Sequence, residues 1–279
     1  MSAISFAAIF FRKSEGTHPL VAAGVRLAIA GILLSPMVWR AARRGMLNRF
    51  TVRTATIAGF AYAGHFGTWV SSLSMTTVAA SVTLVTATPL LLAAYAIARG
   101  KDRPDRHHGL AITLAVVGVS LIGGADLFDR RALSGDALAL GGAAAMAVYL
   151  VTARRLGPEL DPWSFTGMAC AVGAALLLTT ALLTGTPIAF ESSRALGYVV
   201  LAALIPQLIG HSLLTWSLRH VRPTVVGLAT VGEPVGSALL GWLWLGEKVS
   251  PLAGMGCIVT IGAVALAIAS PLRKPASHA

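Results

Sequence analysis

The sequence predicts an all-α polytopic membrane protein, and three observations carry that expectation. The 279 residues are 56% hydrophobic and only 12% charged, with a mean hydropathy of +0.75, a composition that excludes a soluble fold of this size. The apolar residues fall into runs of about twenty with the charges between them, and a run of that length crosses a ~30 Å hydrocarbon layer at about 1.5 Å per residue. The third observation is an internal duplication, described below.

Along the chain, full spans are expected at 19–39, 55–75, 77–98, 109–124, 135–153, 162–184, 195–218, 223–245 and 251–270. Ahead of them, Ser2–Phe11 is apolar but only ten residues long and ends in Arg12-Lys13, so it reads as the second half of a span. A signal peptide would carry its cationic flank on the other side and a small-residue cleavage site after it. A truncated first span predicts that Met1 is not the natural start, or else that the protein is a defective variant. Cys170 and Cys257 both lie inside apolar runs, so neither a disulfide framework nor a thiolate metal site is expected.

Net charge is +11. In a soluble protein that would point to nucleic acid; here it becomes a question of which loops hold the cations, and no nucleic-acid partner is expected. Sorted by loop, 15 of the 22 Lys and Arg residues fall on the side shared by Arg40–Arg53, Arg99–Arg106, Arg154-Arg155, Arg219 with Arg222, and Arg273-Lys274, and 6 on the other. The positive-inside bias therefore puts the C-terminus in the cytoplasm. Arg26 alone lies within a span.

The duplication is legible in landmarks. Gly64-His65, Thr68-Trp69 and Thr88-Pro89 in the first half answer to Gly210-His211, Thr215-Trp216 and Glu233-Pro234 in the second, at offsets of 145 to 147. Each copy should hold five spans, and an odd number forces the second to enter the membrane upside down. Inverted repeats of this kind are an architecture of secondary transporters, with the binding site near the midplane between copies.

Pro223 to Leu266, with Gly232-Glu233-Pro234-Val235 and Trp242-Leu243-Trp244-Leu245-Gly246-Glu247-Lys248, resembles the second EamA domain of the drug/metabolite transporter superfamily. Similar patterns stand at Gly135–Leu140 and at Leu20–Leu34 around Arg26. The resemblance implies a ten-span inverted-repeat (5+5) transporter bundle with a truncated first span, both termini cytoplasmic, exporting small metabolites or drugs. In domain terms, 1–124 is the first EamA-like repeat, 125–134 a connecting loop, 135–270 the second repeat and 271–279 a cytoplasmic tail. Two features depart from the family pattern: Ala98-Arg99-Gly100-Lys101 stands where Leu-Gly-Glu is usual, and the first span is short.

Ionisable groups inside a bilayer cost about 2.5–3.5 kcal/mol at the helix centre even on lenient scales, so each asks for a reason. Glu233 lies near the midpoint of its span, with Ala229, Thr230, Gly236 and Ser237 on its own face. It is either a site carboxylate or a hydrogen-bonded packing group where Gly232 and Gly236 let a helix approach. Gln207, His211 and Thr215 recur every four residues, and Tyr62, His65, Trp69 and Ser72 form the matching stripe. Aromatics beside polar groups suit a cavity for amphipathic or cationic solutes; the plainer reading has each His bonded to a neighbouring carbonyl. Thr88 and Trp216 complete the expected pathway by their place in the repeat. Pro89 and Pro234 are the expected hinges, since a proline frees a backbone carbonyl and such breaks line cavities. Arg26 is expected to snorkel to the interface, and Asp136 to favour a helix N-terminus at a span start.

Rival classes lack their signatures. The sequence has no Ser elbow, no His-Glu-x-x-His helix, no paired intramembrane aspartates and no phosphate-binding Gly-x-x-x-x-Gly-Lys loop, so no enzyme, no metal, no cofactor and no direct use of ATP is expected. The predicted function is secondary-active export of small, amino-acid-like or amphipathic and cationic solutes by alternating access at the inner membrane, with protons as the coupling ion. A non-transporting structural or sensory membrane protein is the alternative, and flux in sealed vesicles separates the two. The sequence sets no substrate and no oligomeric state.

Overall fold

The computed structural model describes residues 2–88, 90–91, 95, 106–125, 129–156, 159–220 and 233–269, and among these all regular structure is helical. Ten elements follow in order: α1 (Ser2–Lys13), α2 (Pro19–Arg43), α3 (Arg49–Ser72), α4 (Val78–Val85), α5 (Arg106–Ala125), α6 (Arg130–Leu156) and α7 (Pro162–Leu183). The element α8 joins Ser193–Ala202, a π-helical Ala203–His211 and Ser212–His220; α9 runs over 233–240 into the π-helical Gly241–Leu245; α10 is Pro251–Ala269. Among the described residues four stretches, Pro19–Arg43, Arg130–Leu156, Pro162–Leu183 and Ser193–Ser217, are long and apolar enough to cross a membrane, and Gly109–Ile122 and Pro251–Leu266 are shorter apolar ones.

Helix starts are written in the sequence. His18 caps α2 by accepting the Leu20 N–H, with Pro19 at the first position; Asn48 accepts from Thr51 on α3; Asp161 accepts from Trp163 and Ser164 on α7. On α6 the cap is Asp129, which accepts from Arg131 and Ala132. That corrects two expectations. The helix begins at Arg130 within the supposed loop 125–134, and Asp136 is not at a helix start but buried in the second turn. The expected span 77–98 is interrupted too: α4 gives way to a turn at Thr86-Ala87. Beyond the turn the Thr88 hydroxyl donates to the Val85 carbonyl at 3.0 Å.

Small residues draw the bundle together, because a backbone without side-chain bulk lets another helix approach. α2 lies along α7, α3 against α6 and α7, and α5 along α10; α1 packs on α8 and α4 on α6. A Cβ on Gly59 would fall 2.4 Å from Val172 and 3.1 Å from the Ala169 carbonyl, and one on Gly256 2.7 Å from the Gly118 carbonyl. The short α1 is core rather than surface, with Ile4, Ala7, Ala8, Ile9, Phe10 and Phe11 all buried.

Candidate functional site

On α3 the residues Tyr62, His65, Phe66 and Trp69 follow i, i+3, i+4, i+7 spacing, which lines them along one helical face, and all four are buried. They form a continuous aromatic wall. Phe66 meets Tyr62 at 5.2 Å and His65 at 4.5 Å between ring centroids, and His65 stacks on Trp69 at 5.9 Å. The Nδ1–H of His65 donates to the Gly142 carbonyl of α6 at 2.9 Å. That bond orients the ring and leaves Nε2 as its second polar atom.

The second half faces this wall. Tyr149 of α6 stacks on Tyr62 at 4.0 Å and its hydroxyl bonds the Thr215 hydroxyl at 3.0 Å. On α8, Gln207 is fully buried with its Nε2 3.6 Å from the Cys170 sulfur. His211 lies 5.4 Å from Phe66 and 6.4 Å from both His65 and Tyr62. Gln207 and His211 come from the π-helical segment around Pro206. Such wider turns recur at functional sites because they re-aim side chains relative to the rest of a helix. Glu233 on α9 completes the ring: its backbone carbonyl accepts from Ser5 of α1 at 3.4 Å, and it lines a cavity of about 80 Å³ with His65, Trp69, Thr88, Met146 and His211. That volume is well below the ~300–1,000 Å³ of sites that hold drug-sized ligands.

Arg26 corrects the sequence reading. It does not snorkel: it is 0% exposed, its guanidinium lies 4.3 Å from the centroid of Phe66 and 5.4 Å from that of Phe11, and Nε and both terminal nitrogens have no hydrogen-bond partner among the described residues. Position fixes this outcome. From the inward face of α2, Arg26 meets α1 on one side and α3 on the other, and its stem has no route to the interface. Cation–π contact returns about 2 kcal/mol when desolvated, less than the several kcal/mol that burying an unpaired ion costs. Tyr62, Cys170 and Glu233 are within electrostatic reach, yet no ion pair forms with Glu233.

The remaining sequence candidates divide. Thr88 donates to Ala143 of α6 at 3.2 Å as well as to Val85, and lines the cavity. Pro234 is buried against a smaller cavity with Thr83, Thr86 and Thr260. Pro89 lies outside the described residues. Trp216 is a correction: at 39% exposure it sits on the outer surface. It follows His211 by five positions, about 140° away around a helix, whereas Trp69 follows His65 by four. Thr215, not Trp216, takes the inward place. Among the described residues, no group of three His, Cys, Asp or Glu side chains is placed to hold a metal ion.

At the end of the bundle beyond α1, the Gly246-Glu247 motif acquires a physical role. Gly246 adopts φ +67 and closes α9 by donating to the Trp242 carbonyl, while Glu247 N–H reaches Gly241. The reversal aims the Glu247 carboxylate at Arg12 (2.5 Å) and at the first N–H of α4, on Val78 (2.8 Å). A second cavity of about 250 Å³ lies at this end, between Phe11, Arg12, Glu15, Thr17, Leu73 and Ser74.

The chain matches the model of the EamA-like transporter family over residues 1–124 and again over 133–269. It is 25% identical over 203 residues to an uncharacterized transporter of Archaeoglobus fulgidus, covering 71% of this chain and 69% of that one. To the uncharacterized transporter YwfM of Bacillus subtilis it is 23% identical over 267 residues, 95% and 89% of the two chains. A solved crystal structure superposes with a TM-score of 0.68 over 95% of this chain and 93% of that one at 19% identity, a likeness of fold.

Proposed function

The chain belongs to the EamA-like transporter family, and from that premise we propose that it is a secondary-active exporter of small metabolites working by alternating access. The observation that carries this reading is the central chamber, lined by His65, Trp69 and Thr88 from the first half and by Met146, His211 and Glu233 from the second. A solute held there touches both halves, the arrangement in which their relative motion moves it across a membrane. Drug-sized pockets hold ~300–1,000 Å³, so the chamber must widen to load.

The architecture in this reading is ten spans in two inverted repeats, 1–124 and 135–270, with α6 leading into the second from Arg130 and a tail at 271–279. The helix pairing supports it. Exchanging α1–α5 with α6–α10 turns α2 on α7 and α5 on α10 into themselves, α3 on α6 into α8 on α1, and α3 on α7 into α8 on α2; all of these contacts occur. The cationic loops support an inner-membrane protein with a cytoplasmic C-terminus.

Protons are the coupling ion in this reading. Glu233 and His211 line the chamber beside the pathway residues Tyr62, His65, Trp69, Gln207 and Thr215, and proton and solute occupancy of one small space exclude each other. Solutes that are amino-acid-like or amphipathic and cationic fit ring faces beside a carboxylate.

Purified protein in sealed proteoliposomes, given a pH gradient and a metabolite extract, tests the reading. Gradient-dependent movement of at least one solute above empty liposomes is expected. Absence of any such movement favours the structural or sensory alternative.

A further inference from the structure

We infer that Arg26 is the receptor for a single carboxylate on the transported solute, which makes organic monoanions or zwitterions, rather than pure cations, the substrate class. The inference rests on the transport reading above. Arg26 is fully buried, carries five N–H donors and shares none of them with a described residue, since the Phe11 and Phe66 rings offer charge attraction but no acceptor. One ring separates it from the cavity, because Phe66 also meets His65 and His211, both cavity-lining. Glu233, the carboxylate within electrostatic reach, remains unpaired with it.

The fork of a guanidinium matches a carboxylate in bidentate geometry. Turning Phe66 aside as the chamber widens exposes that fork, while Tyr62, Trp69 and His211 receive the apolar body. Charge matching favours one negative charge. Glu233 already lies within electrostatic reach of Arg26, and a dianion would bring a second charge with no cation among the described chamber residues to meet it.

The test uses the full chain in detergent and in proteoliposomes with four probes that share one ring: phenylacetate, L-phenylalanine, phenethylamine and phenylphosphonate. Intrinsic fluorescence reports binding. The carboxylates are expected to bind at least about 10-fold more tightly than phenethylamine, the discrimination one charge-assisted pair supplies, and more tightly than the phosphonate. Arg26→Gln should bring the carboxylate-to-amine ratio to about one, and Arg26→Lys should keep part of it by retaining charge without the fork. Phenylglyoxal modification of Arg26, mapped by mass spectrometry in the unmutated protein, should be slowed by phenylacetate and not by phenethylamine. That arm holds even where a variant misfolds.

Equal binding of acid and amine, no binding of either carboxylate, unprotected Arg26, or an unchanged ratio in folded variants overturns the inference. Tighter binding of the phosphonate overturns the monoanion and points to a phosphate. Arg26-dependent carboxylate binding without flux keeps the receptor and rejects the transport reading. Flux of phenethylamine indifferent to Arg26 keeps transport and rejects the receptor.

Discussion

Arg12 and Glu247, 235 positions apart, close one end of the bundle: one carboxylate oxygen takes the guanidinium at 2.5 Å and the other accepts the Val78 N–H that opens α4. The contact ties α1, α4 and the end of α9 at a single side chain. Arg12 is 31% exposed, so the ion pair alone contributes less than ~1 kcal/mol, while the helix-capping bond contributes ~1 kcal/mol.

Glu247→Gln keeps an acceptor for Val78 and loses the charge; Glu247→Ala loses both. Because the Arg12 guanidinium also donates to the Thr76 carbonyl at 3.1 Å, thermal unfolding in detergent should show the smallest loss for Glu247→Gln, at under ~1 kcal/mol, with larger losses for Arg12→Ala and for Glu247→Ala, the latter about 1–2 kcal/mol. A double-mutant cycle that finds no coupling between Arg12 and Glu247 would refute the contact.

The seam between α5 and α10 is set by glycines. A Cβ on Gly118 would meet the Thr260 hydroxyl at 2.3 Å and the Thr260 backbone nitrogen at 2.8 Å. The second atom cannot swing away. Gly118→Ala should cost about 1–3 kcal/mol as an overpacked contact, whereas Gly254→Ala, with nothing within 4 Å of its Cβ, should be near neutral. Equal unfolding midpoints for the two variants would remove the seam as a determinant.

The C-terminus is expected in the cytoplasm, from the asymmetry of 15 cations against 6. Reporters active only in the periplasm or only in the cytoplasm, fused after Ser270, decide the point. Signal confined to the periplasmic reporter reverses the whole topology.

Much of this was legible in the sequence. The α3 stripe of Tyr62, His65 and Trp69 and the α8 stripe of Gln207, His211 and Thr215 are both buried and face one another, because helical periodicity determines which side chains share a face. What escaped was the effect of neighbours. The distance of Arg26 from its span end allows snorkelling, and only the packing of Phe11 and Phe66 around it keeps it inside. Trp216 matches Trp69 in the repeat, but it stands five residues after His211 where Trp69 stands four after His65, and that single residue turns the ring outward. The π-helical turn lies around Pro206, whose missing N–H frees a carbonyl, and the Thr88 hydroxyl bonds Val85; neither outcome is written in the residue types alone.

Glu233→Gln is the sharpest test of coupling. Glu233 lines the chamber with no ion pair to a described residue, near enough to Arg26 and His211 for any change in its charge to alter the field on a bound solute. A carboxylate that must take up and release a proton in each cycle cannot be replaced by an amide. One that only packs can, because the amide keeps its size and hydrogen-bonding capacity. The packing role already has another holder in the backbone, since the Glu233 carbonyl accepts from Ser5 and Ser237 donates to the Ser5 carbonyl, and Glu233→Gln leaves both bonds intact. Folding and downhill exchange should therefore survive while pH-driven accumulation in proteoliposomes falls to the level set by the solute gradient alone, and His211→Ala should displace the pH optimum without abolishing flux. Undiminished uphill transport by a well-folded Glu233→Gln protein would assign the residue to packing and move the proton site elsewhere in the chamber.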